Sequence, residues 1–561
     1  MALFESSSQN QRPLGPAARG RLIIAIAAAS VTAACSSSDG DYLRSGSGTG
    51  GGPLPPAPSC MSAPSGSTTV EKPELLLRLQ DPYSETWLSS PAVADLDGDG
   101  KNEIIAPRDE HVIVWNADGS VKWSFDTPGR VWASPVIADF RGDAQLEVAI
   151  ASRGKVFLLD ASGKVLSGFP VSWEDEMRSL AAADLDGDGK LDLVAAPGES
   201  GPSDVMNAWH ADGSQVRGFP PNKAGVSGCT TSDSCDADNC CYLAGAYDQN
   251  VALGDLDGDG KADVVVGHDN AYSSFHKSTG EAYDSNAMFR NRKKTPGVRY
   301  LHEIDLARQG FSDNDASLQA HFTNTAPAIA DLDGDGTPEI LMLGSVQNVA
   351  QSKRELGVAL WALHRDASRL AGWETPFYVS NYLSGLWDPN DGNDNIVAAT
   401  NQVTVADLDP TLPGPELIFA GFDGRIHAVT ADKRELWSVT YTTDANVLTG
   451  GVVVGDLSGD GIPEIVFNTY SVDKGKGALV ILDAGGNTLH EIPLPGRGAM
   501  PVPTLSDVNN DGTLEIVVSL KDGDEKTEAV QVFTIPHSAT NCLLWPTGRG
   551  NLLRSAWVRK E

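Results

Sequence analysis

The chain has 561 residues, with 75 acidic side chains against 42 basic ones and a formal net charge of −33. That balance excludes nucleic acid or an anionic lipid surface as a bulk partner. With 41% hydrophobic residues the chain is long enough for several domains, or for one large domain if it is a continuous repeat array.

Residues 1–34 open the chain with Arg12, Arg19 and Arg21, followed by an apolar run over 22–34. That run is too short to span a bilayer, and the order positive, apolar, small is that of an export signal. It ends in Val-Thr-Ala-Ala-Cys at Cys35, which resembles a bacterial lipoprotein lipobox, with Thr32 where that pattern prefers leucine. The resemblance implies lipidation at Cys35, and Ser36 after it is similar to the outer-membrane-destined class. A plain cleaved signal is the alternative. Residues 35–73 are rich in Ser, Gly and Pro and read as a disordered tether with an end-to-end distance of about 35 Å. The expected location is the outer membrane or cell surface, with the periplasm as the alternative.

From residue 74 to 535 the chain repeats. DLDGDGKNE begins at Asp95, and near-copies begin at Asp139, Asp184, Asp255, Asp331, Asp407, Asp456 and Asp507. Short β-branched runs flank each copy, such as Ser-Pro-Val-Ile-Ala before the second and Val-Val-Val-Gly after the fourth. A second hairpin follows in most units, its turn supplied by Asp-Gly or Ser-Gly, as in HVIVWNADGSVKWSF over 111–125. Four strands per unit, repeated radially, predict an all-β closed β-propeller. Eight motifs favour eight blades, with seven as the alternative. The last repeat lacks a fourth strand, and ELLLRLQ over 74–80 is placed to supply it, which removes two open sheet edges.

Insertions interrupt this pattern at 221–250, 285–325, 345–357 and 374–400, and residues 536–561 form an extension expected to pack on the propeller. The seven cysteines fit an oxidising compartment. Cys229, Cys235, Cys240 and Cys241 crowd into the first insertion as disulfide candidates or a zinc site, and Cys60 and Cys542 are candidates to tie the two termini.

Each loop places oxygen donors at alternate positions before a glycine turn, a pattern that cradles calcium. An EF-hand would need a glutamate at position twelve. The six well-formed copies carry Ala106, Ala195, Val266, Met342, Phe467 and Val518 there. An acid stands at position nine instead, between strands rather than helices. These nine-residue loops in four-stranded units resemble the FG-GAP (VCBS-type) repeats of integrin α-like propellers and bacterial surface proteins. The Gly-Phe-Pro at 168–170 and 218–220 resembles the bacterial branch.

The resemblance implies about six Ca2+ sites. Their ligands by position are Asp95, Asp97, Asp99, Lys101 and Glu103 in loop 1, and Asp184, Asp186, Asp188, Lys190 and Asp192 in loop 3. Loop 4 offers Asp255, Asp257, Asp259, Lys261 and Asp263, and loop 5 Asp331, Asp333, Asp335, Thr337 and Glu339. Loop 7 offers Asp456, Ser458, Asp460, Ile462 and Glu464, and loop 8 Asp507, Asn509, Asp511, Thr513 and Glu515. The fourth-named residue of each set, at loop position seven, acts through its backbone carbonyl. Loop 2 has Arg141 at a ligand position, where it can pair with Asp139 and Glu147 and replace the metal. Loop 6, with Pro410 and an extra residue before Glu416, loses its third carboxylate. Neither is expected to hold calcium tightly. Arg141-Gly142-Asp143 falls in register with the repeat and reads as coincidence rather than an integrin-binding signal.

The calcium loops join strands 1 and 2 of each blade, while the long insertions project from the other face. That face carries Arg290, Arg292, Lys293, Lys294, Arg299, Tyr300, His302, His321, Tyr378, Tyr382 and Trp387, and is the expected recognition surface over blades 3 to 6. No nucleophile elbow, zinc-protease, phosphate-loop or dinucleotide signature is present. The sequence therefore predicts a lipid-anchored envelope binding or adhesion protein with a protein or glycan ligand. A polysaccharide-lyase-like enzyme and an outer-membrane scaffold are the alternatives.

Overall fold

The computed structural model describes residues 60–63, 66–81, 85–173, 176–197, 206–221, 251–267, 275–289, 319–321, 325–347, 355–383, 401–522, 528–540 and 542–558. The signal and Cys35, the tether to residue 59, the cysteine cluster at 229–241, the basic run at 290–299, Tyr300, His302 and Trp387 lie outside them.

Eight antiparallel blades form a closed ring. Blade 1 comprises Ala92–Ala94, Glu103–Arg108, His111–Trp115 and Val121–Asp126, and blade 2 Val136–Ala138, Glu147–Ser152, Lys155–Leu159 and Val171–Ser172. Blade 3 (Met177–Ala183, Asp192–Pro197, Asn207–Trp209) and blade 4 (Val251–Gly254, Asp263–Val266, Phe275–His276) have three strands, their fourth position held by single bridges at Gln215 and Ala282. Blade 5 runs Ala328–Ala330, Glu339–Gln347, Glu355–Leu363 and Phe377–Val379, with Gln319–His321 added beside its second strand. Blade 6 is Thr404–Ala406, Glu416–Ala420, Arg425–Val429 and Glu435–Thr440, and blade 7 Val453–Gly455, Glu464–Asn468, Ala478–Leu482 and Thr488–Pro493. Blade 8 joins Thr504–Ser506, Glu515–Ser519 and Glu528–Thr534 to the N-terminal strand Glu74–Gln80, which pairs Glu74 with Thr534 and Gln80 with Glu528.

The inner strands decide the blade number. Each neighbours the next around the whole circle, and Ala92–Ala94 lies beside both Val136–Ala138 and Thr504–Ser506. All eight motifs are inside the ring, so a seven-bladed form with one outlying motif is ruled out. Inner strands are short and small (Ala-Val-Ala, Val-Ile-Ala, Ala-Ile-Ala) because they converge on the axis, and all three are buried. Outer strands such as Val121–Asp126 alternate exposed and half-buried positions.

Between blades, a tryptophan on or just before one outer strand donates to the turn of the next blade. Trp123 Nε1 reaches Ala161 O at 2.9 Å, Trp373 reaches Ala431 O at 2.8 Å and Trp437 reaches Ala484 O at 2.8 Å. The Gly-Phe-Pro glycines serve the same join. Gly168 has φ +94°, and a Cβ on it would lie 2.0 Å from Asp212 O in the next blade's turn. Gly168→Ala is expected to destabilise by about 2 kcal/mol or more, measured by denaturant unfolding; an unchanged midpoint would show that the turn shifts freely.

The C-terminal extension fills the axial channel, where inner strands would otherwise present unpaired backbone groups. Trp545 pairs with Val454 of blade 7 in both directions (2.9 and 3.0 Å), and Leu505 of blade 8 donates to Pro546. Ile137, Ala182, Leu253 and Ile329, from blades 2 to 5, donate to Leu552, Leu553, Ser555 and Ala556 at 2.9–3.1 Å. Arg549 and Arg554 are buried among carbonyls rather than carboxylates. Arg554 donates to Pro135 O at 3.0 Å and Pro91 O at 3.1 Å, and Arg549 to Leu180 O at 2.9 Å, while the backbone N–H of Arg549 donates to Oε1 of Gln402, just before blade 6, at 2.7 Å. Burial pulls both guanidinium pKa values down, that of Arg554 to about 9, so it stays charged at neutral pH. Cys60 and Cys542 are disulfide-bonded across 482 residues at the start of this segment.

Residues 60–73 were expected to belong to the tether. The described part is held instead. Ala63 N donates to Gly459 O and Ser67 N to Ser458 O, both at 2.8 Å, so the segment caps loop 7. The disulfide accounts for this, since it fixes Cys60 beside blade 7. Among the described residues no helix is long and apolar enough to cross a membrane.

Candidate metal centres and the opposite face

The eight acidic loops share one architecture. The first aspartate anchors the turn through its carboxylate: Asp95 accepts from Gly98 N at 2.8 Å and Gly100 N at 2.9 Å, and Asp184, Asp255, Asp331 and Asp456 repeat this. The fifth-position aspartate accepts from the N–H of the seventh residue, at Lys101, Lys190, Lys261, Thr337, Ile462 and Thr513 (2.7–2.9 Å). The closing acid is tied to the second residue's N–H in every loop. Leu96 donates to Glu103, Phe140 to Glu147, Leu185 to Asp192, Leu256 to Asp263, Leu332 to Glu339, Leu408 to Glu416, Leu457 to Glu464 and Val508 to Glu515, all at 2.7–3.1 Å. The glycines before and after position five have positive φ, as at Gly98 (75°) and Gly100 (85°), where nothing within 4 Å would meet an added Cβ. Glycine is used there for backbone conformation, not for space.

Four loops bring three carboxylates within 4.8 Å of one another: Asp95, Asp97 and Asp99; Asp184, Asp186 and Asp192; Asp255, Asp257 and Asp259; and Asp331, Asp333 and Glu339. Among the described residues, loops 7 and 8 form no such triplet, because Ser458 and Asn509 replace the middle carboxylate. Glu103, Asp188, Asp263 and Asp335 stand outside the triplets of their own loops.

Burial of the closing acids shows why a cation suits these sites. Desolvation raises Glu339 and Glu464 to about 8, Asp263 and Glu515 to about 7 and Asp192 to about 6. Glu339 Oε1 and Glu515 Oε1 are buried without a hydrogen-bond donor, and the nearest base to Glu339 is His364 Nδ1 at 3.5 Å. Hard oxygen donors gathered this way fit Ca2+ or Mg2+ rather than softer metals.

Sequence reasoning missed the basic and hydroxyl groups that face these acids from the second hairpin. Lys122 contacts Asp97 and reaches Glu103 at 3.2 Å. His210 Nδ1 lies 2.7 Å from Asp192, and Tyr283 OH donates to Asp263 at 2.6 Å and Asp257 at 3.1 Å. Their spacing beyond the acidic loop varies from blade to blade, so no motif marks them.

In loop 2 the substitute cation is present. Arg141 Nε donates to the fully buried Glu147 at 2.7 Å, while its second ion pair is with Asp143 at 3.3 Å rather than with Asp139. Asp139 is occupied by the N–H groups of Asp143 and Ala144. The Arg-Gly-Asp tripeptide is thus folded onto itself. Arg141→Ala leaves Glu147 buried and unpaired and is expected to cost about 2 kcal/mol. Arg141→Asp, which restores a carboxylate at the ligand position, is expected to make this blade's stability calcium-dependent. Calcium titration of both variants by thermal unfolding checks this, and two identical responses would contradict it.

Two cavities border the loops on this face. One of about 570 Å³ lies between blades 2 and 3 beside Arg141, Lys190, His210 and Asp186. The other, of about 380 Å³, lies between blades 5 and 6.

On the opposite face the connections into blades 1, 2 and 3 carry a stack of alternating cations and indoles. Lys521 Nζ sits 3.1 Å from the Trp87 ring centre. Arg130 lies over Trp87 at 4.6 Å and Trp132 at 5.0 Å, and Arg178 over Trp132 at 4.2 Å. Glu85 and Glu176 accept the indole N–H groups at 2.9 and 3.1 Å. Both tryptophans are half-buried, and Tyr378, Tyr382 and Leu383 are exposed on the same face at blade 5. The basic run expected to mark this face lies outside the described residues. The described aromatic groups of this face lie in the connections into blades 1 and 2 and at blade 5, while most of the insertions over blades 3 to 6 fall outside the described residues.

The FG-GAP-like repeat family matches residues 139–195 and the FG-GAP repeat family matches residues 249–283. The chain is an eight-bladed β-propeller that carries FG-GAP repeats. No curated protein matches it. Among solved structures, the V. cholerae biofilm matrix protein Bap1 is similar at 14% identity over 86% of this chain and 100% of that one, with a TM-score of 0.49. The Bacillus licheniformis rhamnogalacturonan lyase is similar at 15% identity over 84% and 76%, with a TM-score of 0.43. The exotype rhamnogalacturonan lyase YesX is similar at 14% identity over 87% and 84%, with a TM-score of 0.45.

Proposed function

We propose that this FG-GAP propeller is a calcium-stabilised binding or adhesion protein of the cell envelope, anchored by lipid at Cys35, and that it recognises a protein or glycan ligand on the face opposite its metal loops. The observation that carries this reading is the Trp87–Arg130–Trp132–Arg178 stack. Two half-buried indoles held by cations and acid acceptors form a rigid platform with polar groups at its rim, which suits a sugar ring or a peptide side chain. The metal loops, by contrast, spend their donors on their own turns. A panel of envelope glycans and proteins tests the proposal with wild type and Trp132→Ala. Binding is expected to weaken roughly 30-fold in the variant, and equal binding would remove this face from the proposal.

Polysaccharide lyase activity is a second reading, favoured by Lys521. Burial and the neighbouring Arg497 and Arg130 lower its amine to about 7, the range of a general base. Its side chain is fully covered, under Trp87, and the axial channel is filled by residues 542–558, so binding stands first. Release of unsaturated, ultraviolet-absorbing oligosaccharides from pectic substrates would reverse that order.

A further inference from the structure

The N-terminal segment joins the propeller on its metal-loop face. Cys60 is disulfide-bonded to Cys542, and Cys542 O accepts the N–H of Asp456, the first residue of loop 7, at 2.9 Å. The residues after Cys60 run over the same loop. Ser62 Oγ donates to Asp460 O at 2.6 Å, and Ala63 N and Ser67 N donate to Gly459 O and Ser458 O, both at 2.8 Å. Loop 7 is covered in consequence: residues 456–459 are buried, whereas Asp97, Gly98 and Asp99 of loop 1 are exposed.

From there the chain stays on this face until it enters the sheet. His490 Nε2, in the outer strand of blade 7, donates to Val70 O at 2.8 Å, and Glu71 lies 2.9 Å from His537 Nδ1, just past the third strand of blade 8. Glu74 then pairs with Thr534 at the end of that third strand, so the closing strand also starts beside the metal loops. One covalent bond and a series of hydrogen bonds therefore fix the entry point to a single face, at blades 7 and 8.

We propose that the metal-loop face is turned toward the membrane that carries the anchor, and that the cation–indole face looks away from it, so that its ligand arrives from the surrounding medium. This rests on the lipid anchor at Cys35 proposed above. Only residues 36–59 lie between Cys35 and Cys60. A flexible coil of 24 residues spans about 27 Å on average. That is little more than the radius of gyration of about 22 Å for a globular body of this size. Turning the opposite face to the bilayer would draw the linker around the rim of the ring, at a cost in chain entropy. The acidic loops do not reverse the preference. Their repulsion from anionic headgroups is screened beyond about 8 Å at physiological salt, and bound cations reduce it further.

The test uses the full-length lipidated protein in vesicles of phosphatidylethanolamine and phosphatidylglycerol with an acceptor dye on a headgroup. A donor dye is attached through a genetically encoded azide at one exposed position at a time: Asn487 or Lys474 in blade 7, and Lys164 or Lys155 in blade 2. Asn487 and Lys164 lie in the turns between third and fourth strands on the metal-loop face, Lys474 and Lys155 at the second-to-third connections on the other. The ends of a five-residue strand are about 17 Å apart, and energy transfer is expected to be roughly twofold or more higher from Asn487 than from Lys474, and from Lys164 than from Lys155. Equal transfer within each blade, as for a ring standing on its edge, or the reverse order overturns the proposal and leaves the anchor intact. A chain that does not float with the vesicles overturns anchor and orientation together.

Discussion

A chain ending at residue 541 is expected not to reach a stable native ring. Removing residues 542–558 exposes the inner edges of the blades that Val454, Leu505, Ile137, Ala182, Leu253 and Ile329 represent, and each loses its backbone partner. Each orphaned polar group costs roughly 1–3 kcal/mol, so the loss over six groups is comparable with the roughly 5–15 kcal/mol that holds a typical domain folded. The deletion also removes Trp545, which is fully buried, and the disulfide. A milder variant separates the two contributions. Cys542→Ser opens a loop of 482 residues, for which chain entropy gives about 6 kcal/mol as an upper figure. Circular dichroism and size exclusion read both variants. The serine variant should fold with a lowered melting temperature and the truncation should aggregate. A truncated chain that melts like wild type would show that the channel filling is dispensable.

Calcium removal should produce the second large effect, and its pH dependence has a definite sign. Burial raises the metal-free closing acids to about 6 (Asp192), about 7 (Asp263, Glu515) and about 8 (Glu339, Glu464), above their unfolded values. A carboxyl with a raised folded pKa favours the folded state fully only below its unfolded pKa, near 4, and loses that contribution as pH rises through the folded pKa. Through these groups the chelated protein should therefore be most stable at about pH 4 and below and weaken steadily between about pH 4 and 8. Calcium takes the proton's place, so the loaded protein should show little of this slope. At pH 8 and free calcium about 100 times the dissociation constant, each occupied loop adds about 2.7 kcal/mol. Over several loops the melting temperature should rise by roughly 10 °C or more. Scanning calorimetry from pH 5 to 9, with chelator and with calcium, checks this. Parallel curves would show that the loops are neutralised from within the chain.

Much of this architecture was legible in the sequence, because a loop repeated eight times repeats its physics. The short strands flanking each loop, the 1–2 position of every acidic loop and the closing strand ELLLRLQ follow from spacing and edge satisfaction alone. The ligand sets were legible by position, yet the structure gathers tight carboxylate triplets in four loops, and Ser458 and Asn509 explain two of the shortfalls. What spacing could not reveal comes from contacts between distant segments. Lys122, His210 and Tyr283 meet their acids across a hairpin whose length varies. The stack at Trp87 and Trp132 joins three successive blades. The channel-filling segment carries no periodicity, since its residues answer different blades in turn. Its one sequence-level hint was a pair of arginines, Arg549 and Arg554, in an apolar stretch of a strongly acidic protein.

Cation stapling by the acidic loops underlies the binding scaffold proposed above. The number of calcium ions held per chain tests it most directly, read by native mass spectrometry at neutral pH in millimolar calcium. The six well-formed loops predict at least six ions, released together with loss of the folded ring on chelation. A chain that binds one ion or none and keeps its melting temperature in chelator would contradict the account.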